Sequence, residues 1–134
     1  MERRLISSGS PYEPVVGYSR AVVAGGRIHV AGCAPVMPDG VDPPPDTYGQ
    51  AKRCLEIVAD ALAAAGASLA DVVRTRAYLT PAADFDGFGR AHGEAFREIR
   101  PANTTVVAAA LVDPRWLVEI EAEAVVGDEK GDQR

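Results

Sequence analysis

Cysteine is scarce in this 134-residue chain. Cys33 and Cys54 are its only two, too few and too isolated for a disulfide framework, and both read as reduced thiols. With no C-x-x-C spacing and no paired histidines, no metal and no cofactor are implied. Positive charge is also short, at 14 Lys and Arg against 19 Asp and Glu. The net charge of −5 offers no attractive field for phosphates, and no basic stripe with interleaved aromatics compensates, so nucleic acid is not an expected partner. No apolar run approaches the roughly 20 residues that span a bilayer, and Met1-Glu2-Arg3-Arg4 is not followed by an apolar signal core. These absences point to a cytoplasmic soluble protein with no membrane partner.

What is present suits one globular domain. The length matches a single core, and apolar residues make up 47% of the chain, enough to fill one. The domain is expected over 1–126, with 127–134 as a polar tail. Residues 21–23 and 28–31 are short β-forming runs separated by Gly25-Gly26, which supplies positive φ at little cost, so they predict a hairpin. The proline-rich stretch 34–46 lacks amide donors and reads as a stiff loop. Asp46 or Thr47 can cap a helix in which Ala51, Leu55, Val58, Leu62 and Ala65 recur at helical spacing until Gly66 stops it. Residues 72–79 alternate as a strand, with Val73, Thr75, Ala77 and Leu79 on one side and Arg74, Arg76 and Tyr78 on the other.

Asp84 can cap a second helix carrying Phe85, Phe88, His92, Ala95 or Phe96, and Ile99, ended by Pro101. The nearly continuous apolar run 104–111 reads as a central strand. From Trp116 the alternation is sharpest, with Trp116, Val118, Ile120, Ala122 and Ala124 facing one way and Leu117, Glu119, Glu121 and Glu123 the other. The order is therefore β-β-α-β-α-β-β, a mixed sheet with two helices on one face, an α+β arrangement. The other face is not uniformly polar, which asks for a partner subunit.

The stretch 100–123, R-P-A-N-T-T-V-V-A-A-A-L-V-D-P-R-W-L-V-E-I-E-A-E, resembles the C-terminal signature of the reactive intermediate deaminase family (Rid, also called YjgF or L-PSP). In that family Pro-Ala-Arg-Ser opens one strand and a Glu-Ile/Met-Glu stretch lies in the next. Val16-Gly17-Tyr18 resembles its Gly-Pro-Tyr segment, and the strand ending at Ala31-Gly32, followed by Pro35, is similar to its strand ending in Ser-Gly. The resemblance implies a chorismate-mutase-like homotrimer with small-molecule clefts between subunits, and hydrolysis of 2-imino or enamine acids to 2-keto acids and ammonia. It also implies roles: Tyr18 and Gly32 border the ligand, and Glu119 handles water and protons.

Three positions depart from the pattern: Ala31 for a serine, Gly89 for an asparagine, and Asn103 for the arginine whose fork holds the substrate carboxylate. Asn103 carries no charge, so carboxylate binding should weaken by about one to two powers of ten. Arg115, at the turn feeding the glutamate strand, is a candidate replacement, against a reading as a surface arginine beside Asp113. Thr104 and Thr105 either line the cleft or serve as β-branched strand residues. Arg74 and Arg76 line an anion pocket or form ion pairs.

Glu119, with Glu121 and Glu123, reads from spacing alone as a solvated strand face; the signature match singles out Glu119. Cys33 follows Gly32 without a paired base and suits a buried thiol better than a nucleophile. His29 and His92 suit hydrogen-bonded structural roles better than acid-base work. Two functions remain: a divergent hydrolase of an imine, enamine or related compound that is not a standard 2-imino acid deaminase, or a non-catalytic trimeric small-molecule-binding or regulatory protein.

Overall fold

A computed structural model describes residues 2–126; the polar tail expected at 127–134 lies outside the described residues. The chain forms one six-stranded mixed sheet with two long helices against it. Strand β1 (Arg3–Ile6) and a short helix α1 (Tyr12–Val16) precede the hairpin of β2 (Ala21–Ala24) and β3 (Arg27–Cys33). Helix α2 (Thr47–Ala64), β4 (Val72–Leu79), α3 (Phe85–Phe96), β5 (Ala102–Val107) and β6 (Val118–Val125) follow. The spatial order is β1-β2-β3-β6-β4-β5, antiparallel throughout except for the parallel pair β4 and β5.

Several local expectations are met for the physical reasons given. Gly25 and Gly26 take φ of 60° and 77°, the left-handed pair that a two-residue hairpin needs. Asp46 caps α2 by accepting from the Gly49 amide at 3.0 Å, and Asp84 caps α3 by accepting from the Asp86 amide at 3.1 Å. The Asp84 amide in turn donates to Thr47 Oγ1 at 2.9 Å, tying the two helix starts together. Ile28, Val58, Leu62, Val118 and Ile120 are fully buried between the helices and the sheet, forming the core that the helical and strand periods foretold.

Other expectations are corrected. β1 and α1 add to the expected order; only Ile6 of Arg-Arg-Leu-Ile is even partly buried, so no alternation marks that strand. The apolar run 104–111 is not a central strand. Its β part ends at Val107 and forms a sheet edge, with Val106 and Val107 exposed. β6 begins at Val118 rather than Trp116, because Trp116 closes a turn by donating its amide to the Asp113 carbonyl at 3.0 Å. Val73 does not share a face with Thr75: a bulge between Val72 and Arg74 puts Val72 in the core and leaves Val73 exposed. Among the described residues, no helix is long and apolar enough to cross a membrane.

Candidate active site

The sharpest local irregularity lies where β3 leaves β6. Register is lost between Val30, which pairs with Ala122, and Cys33, which pairs with Ile120, so Ala31 and Gly32 form a bulge opposite the single residue Glu121. A Cβ at position 32 would collide with Glu119 Oε2, so only glycine lets that carboxyl lie against the β3 backbone. Glu119 accepts no hydrogen bond and forms no ion pair among the described residues. Burial pushes its pKa up, Arg20 opposes that with its charge, and Glu121 adds to it. It is a carboxyl held without fixed partners and biased toward the neutral acid.

Arg20, which sequence reasoning missed, holds the bulge. Its Nη1 donates to the Gly32 carbonyl at 2.7 Å, and its own carbonyl accepts from the Ala31 amide at 2.9 Å. The guanidinium sits 5.9 Å from the centre of the Tyr18 ring. Both residues are delivered by the end of α1, where Gly17, at φ 86°, turns the chain. Glu13 anchors that helix by accepting from Ser7 Oγ, Ser8 Oγ and the Ser8 amide at 2.8, 2.6 and 2.9 Å. Tyr18, Gly32 and Glu119 are therefore organised around one bulge, and a groove of about 860 Å³ lined by Tyr18, Ala31, His29, Glu121 and Glu123 runs alongside.

Asn103 lies elsewhere. It pairs in register with Thr75, on the helix-facing side of the sheet, whereas Glu119 pairs with Tyr78 on the opposite side. Two inter-strand spacings and three residues along the strand add roughly 10 Å in each direction. Asn103 Nδ2 donates to Thr75 Oγ1 at 3.0 Å, Thr105 Oγ1 donates to Asn103 Oδ1 at 2.9 Å, and Thr75 Oγ1 lies 2.9 Å from His92 Nε2. With its acceptor site filled by Asn103, Thr75 can donate its hydroxyl proton to a neutral His92, a state that burial of the imidazole also favours. The histidine thus serves the hydrogen-bonded structural role expected of it. Thr104 pairs with Arg76 and faces away from Asn103 and Thr105.

The other candidates are engaged. Arg115 donates to Asp113 from Nε at 3.1 Å and from Nη2 at 2.8 Å, and to Asp42 from Nη1 at 2.9 Å. It pins the proline-rich loop to the 113–116 turn and holds the Asp113 carboxyl down at about 2. Arg76 pairs with Glu121 and Glu123 at 3.1 and 3.5 Å, the ion-pair reading. His29 Nδ1 lies 3.7 Å from Glu123. Cys33 is buried and its thiol is pushed up to about 11 by desolvation, so it is not a nucleophile at neutral pH.

Gln50, also missed, is fully buried. It donates to the carbonyls of Pro44 and Arg115 at 2.9 and 3.0 Å and accepts from the Leu117 amide at 2.7 Å, setting the entry of β6 and hence Glu119. A polar residue one turn before Cys54 on the buried stripe of α2 was the available signal.

Residues 9–126 match the family described as Endoribonuclease L-PSP. The chain belongs to that family. Rv2704 of Mycobacterium tuberculosis, described as a member of the highly conserved YjgF/YER057c/UK114 family, is 43% identical, with a TM-score of 0.84 over 93% of this chain and 100% of that one. The uncharacterized protein SCO2049 of Streptomyces coelicolor is 40% identical over 124 residues, 92% of each chain. The structure of Escherichia coli TdcF with bound serine is 29% identical, with a TM-score of 0.75 over 91% of this chain and 93% of that one. The L-PSP family assignment agrees with the α+β fold and covers both Glu119 and Asn103.

Proposed function

We propose that this protein is a divergent, cytoplasmic L-PSP-family hydrolase acting on a C–N bond of a small imine, enamine or related compound. Its cleft is completed by neighbouring copies in a homotrimer. The observation that carries the reading is the Glu119 carboxyl, folded over Gly32, without hydrogen-bond partners among the described residues and biased by burial toward the acid. A carboxyl whose pKa is raised by burial is better suited to give and take protons than a fully solvated one. In hydrolysis, the Glu119 acid protonates the nitrogen as a water adds to the carbon of C=N, and its carboxylate takes back the water's proton to give the carbinolamine; the acid then protonates the nitrogen again while the carboxylate takes the hydroxyl proton, so the C–N bond breaks as C=O forms and the amine leaves.

The need for a second copy rests on geometry. Glu119 and the Asn103–Thr105 edge lie on opposite sides of one sheet, so a ligand touching both must sit between chains. The exposed Val106 and Val107 on that edge are apolar surface for a neighbouring copy to cover. Serine bound to TdcF supports a small polar ligand for this fold.

The standard 2-imino acid reaction is disfavoured because residue 103 has no charge and its amide is already bonded to Thr75 and Thr105. That engaged amide also favours the second reading, a non-catalytic small-molecule-binding or regulatory trimer.

A screen of imines, enamines and amides on the wild type and Glu119→Ala decides between them. The hydrolase reading expects turnover of at least one compound that Glu119→Ala loses, and slow ammonia release from iminopyruvate. Binding without turnover would establish the second reading. Sedimentation should give a trimer; a monomer at all concentrations would remove the intersubunit site.

A further inference from the structure

We infer that Arg20 is a positioning residue for Glu119: its guanidinium clamps the bulge over which that carboxyl lies and supplies the one positive charge the carboxyl faces. This role rests on the Glu119 site proposed above and adds to it the group that controls its protonation.

The clamp has two points. Arg20 Nη1 donates to the Gly32 carbonyl at 2.7 Å, and the Arg20 carbonyl accepts from the Ala31 amide at 2.9 Å. Longer contacts of Nη1 to the Ala31 carbonyl and Cys33 Sγ, both at 3.5 Å, keep the guanidinium on the same three residues. A bulge interrupts the ladder of its strand, so a neighbouring group that bonds its backbone fixes its shape. That shape decides where the carboxyl sits. Glu119 lies against Gly32 so closely that a Cβ there would strike Oε2. The same guanidinium is 5.9 Å from the Tyr18 ring centre, so one side chain joins three positions of the site.

Its charge acts through space. Nε is shut off from solvent without a hydrogen-bond partner, and Arg20 forms no ion pair among the described residues. The groups facing Glu119 are Arg20 from the segment before β2, Cys33 on β3, Tyr78 on β4, Cys54 on α2 and Glu121 on its own strand. Glu121 is itself held by Arg76 and Tyr78, and Glu13, a second carboxyl within reach of Arg20, is held by Ser7 and Ser8. Glu119 has no other partner. Burial drives its pKa up and Arg20 pulls it back. The proposed hydrolysis uses one carboxyl as acid and then as base, so neither form can be favoured outright. Without Arg20, the carboxyl would hold its proton to higher pH.

A carbon-13 NMR titration of the Glu119 carboxyl tests this without any substrate. Arg20→Met should move the midpoint to higher pH, and Arg20→Lys, which keeps the charge, should bring it back toward the wild type. The helix-surface change Arg90→Gln should leave it in place. Since the Ala31 contact is made by the Arg20 backbone, the Met variant retains half the clamp, and amide spectra report whether the bulge survives. In the wild type, the Arg20 guanidinium signals should shift with the Glu119 midpoint and lose that inflection in Glu119→Gln, a readout that stands even where Arg20→Met alters the fold. An unmoved midpoint in a folded Met variant, a Lys variant that titrates like Met, or guanidinium signals indifferent to Glu119 would each overturn the role. If the substrate screen finds turnover, Arg20→Met should lower kcat about tenfold with KM nearly unchanged, and a rise in KM alone would also overturn it. If the screen finds none, the hydrolase reading fails while the titration still decides the role of Arg20.

Discussion

The β3–β6 bulge and the β5 edge are both polar features of one sheet, yet they are built on opposite terms. At the bulge, backbone irregularity, a glycine and the Arg20 clamp bring a carboxyl and a guanidinium together with bonding capacity left over. At the edge, Thr105, Asn103, Thr75 and His92 bond one another in a line. A polar network with every member paired stabilises and specifies structure, whereas one with orphaned donors is arranged for something outside itself. The edge is thereby fixed in register, while the bulge keeps unpaired groups in the site proposed above.

The largest effect that would break this contrast is expected from Gly32→Ala. Its Cβ displaces the Glu119 carboxyl, the far end of a flexible side chain, so any turnover found for the wild type should fall by roughly a hundredfold. The melting temperature should move by only a few degrees. A variant that keeps full turnover would mean Glu119 works from another position.

Next in size is Thr75→Val, which leaves His92 and Asn103 without their shared partner. It should cost about 1–3 kcal/mol in urea denaturation and leave any turnover found for the wild type unchanged. Loss of turnover without loss of stability would move the ligand site to the edge. Asn103→Arg should raise affinity for a small carboxylate such as pyruvate by about tenfold, through a charge-assisted bond; calorimetry showing no gain would place residue 103 outside the cleft proposed above.

The smallest expected effect is on stability against pH. Burial raises the folded-state pKa of Glu119 above its unfolded value. Relative to an ionised reference, its contribution is therefore full at low pH and lost as pH rises through the raised pKa. Glu119→Gln, which cannot ionise, should be more thermostable than the wild type above that pKa and equal to it in acid. Equal melting curves at high pH would mean the carboxyl is better solvated than its position over Gly32 indicates.

Much of the fold was legible because the hydrophobic periods of α2, α3 and β6 reflect contacts with a single core, and Gly25-Gly26, Asp46 and Asp84 act locally. The run 104–111 was misread for a related reason: apolar β-formers mark a strand to be covered without stating by what. Here it is a sheet edge rather than a centre. Val73 fell to a bulge, which shifts the two-residue period without leaving a mark in composition. In the candidate site, Tyr18, Gly32 and Glu119 were named through the family signature, while Arg20 belongs to no period and Gln50 had only its place on an apolar stripe to betray it.

By itself, the sequence determined the β2–β3 hairpin, both long helices, the α+β class, the family and the loss of the arginine at position 103, since each depends on neighbours along the chain or on a short motif. Only the tertiary structure decided that Asn103 and Glu119 occupy opposite sides of the sheet, that Arg115 is held by Asp113 and Asp42, and that Arg20 lies against the Gly32 bulge with donors to spare. Those facts depend on strand register, a bulge and a crossover, which place residues distant in the chain within hydrogen-bond reach.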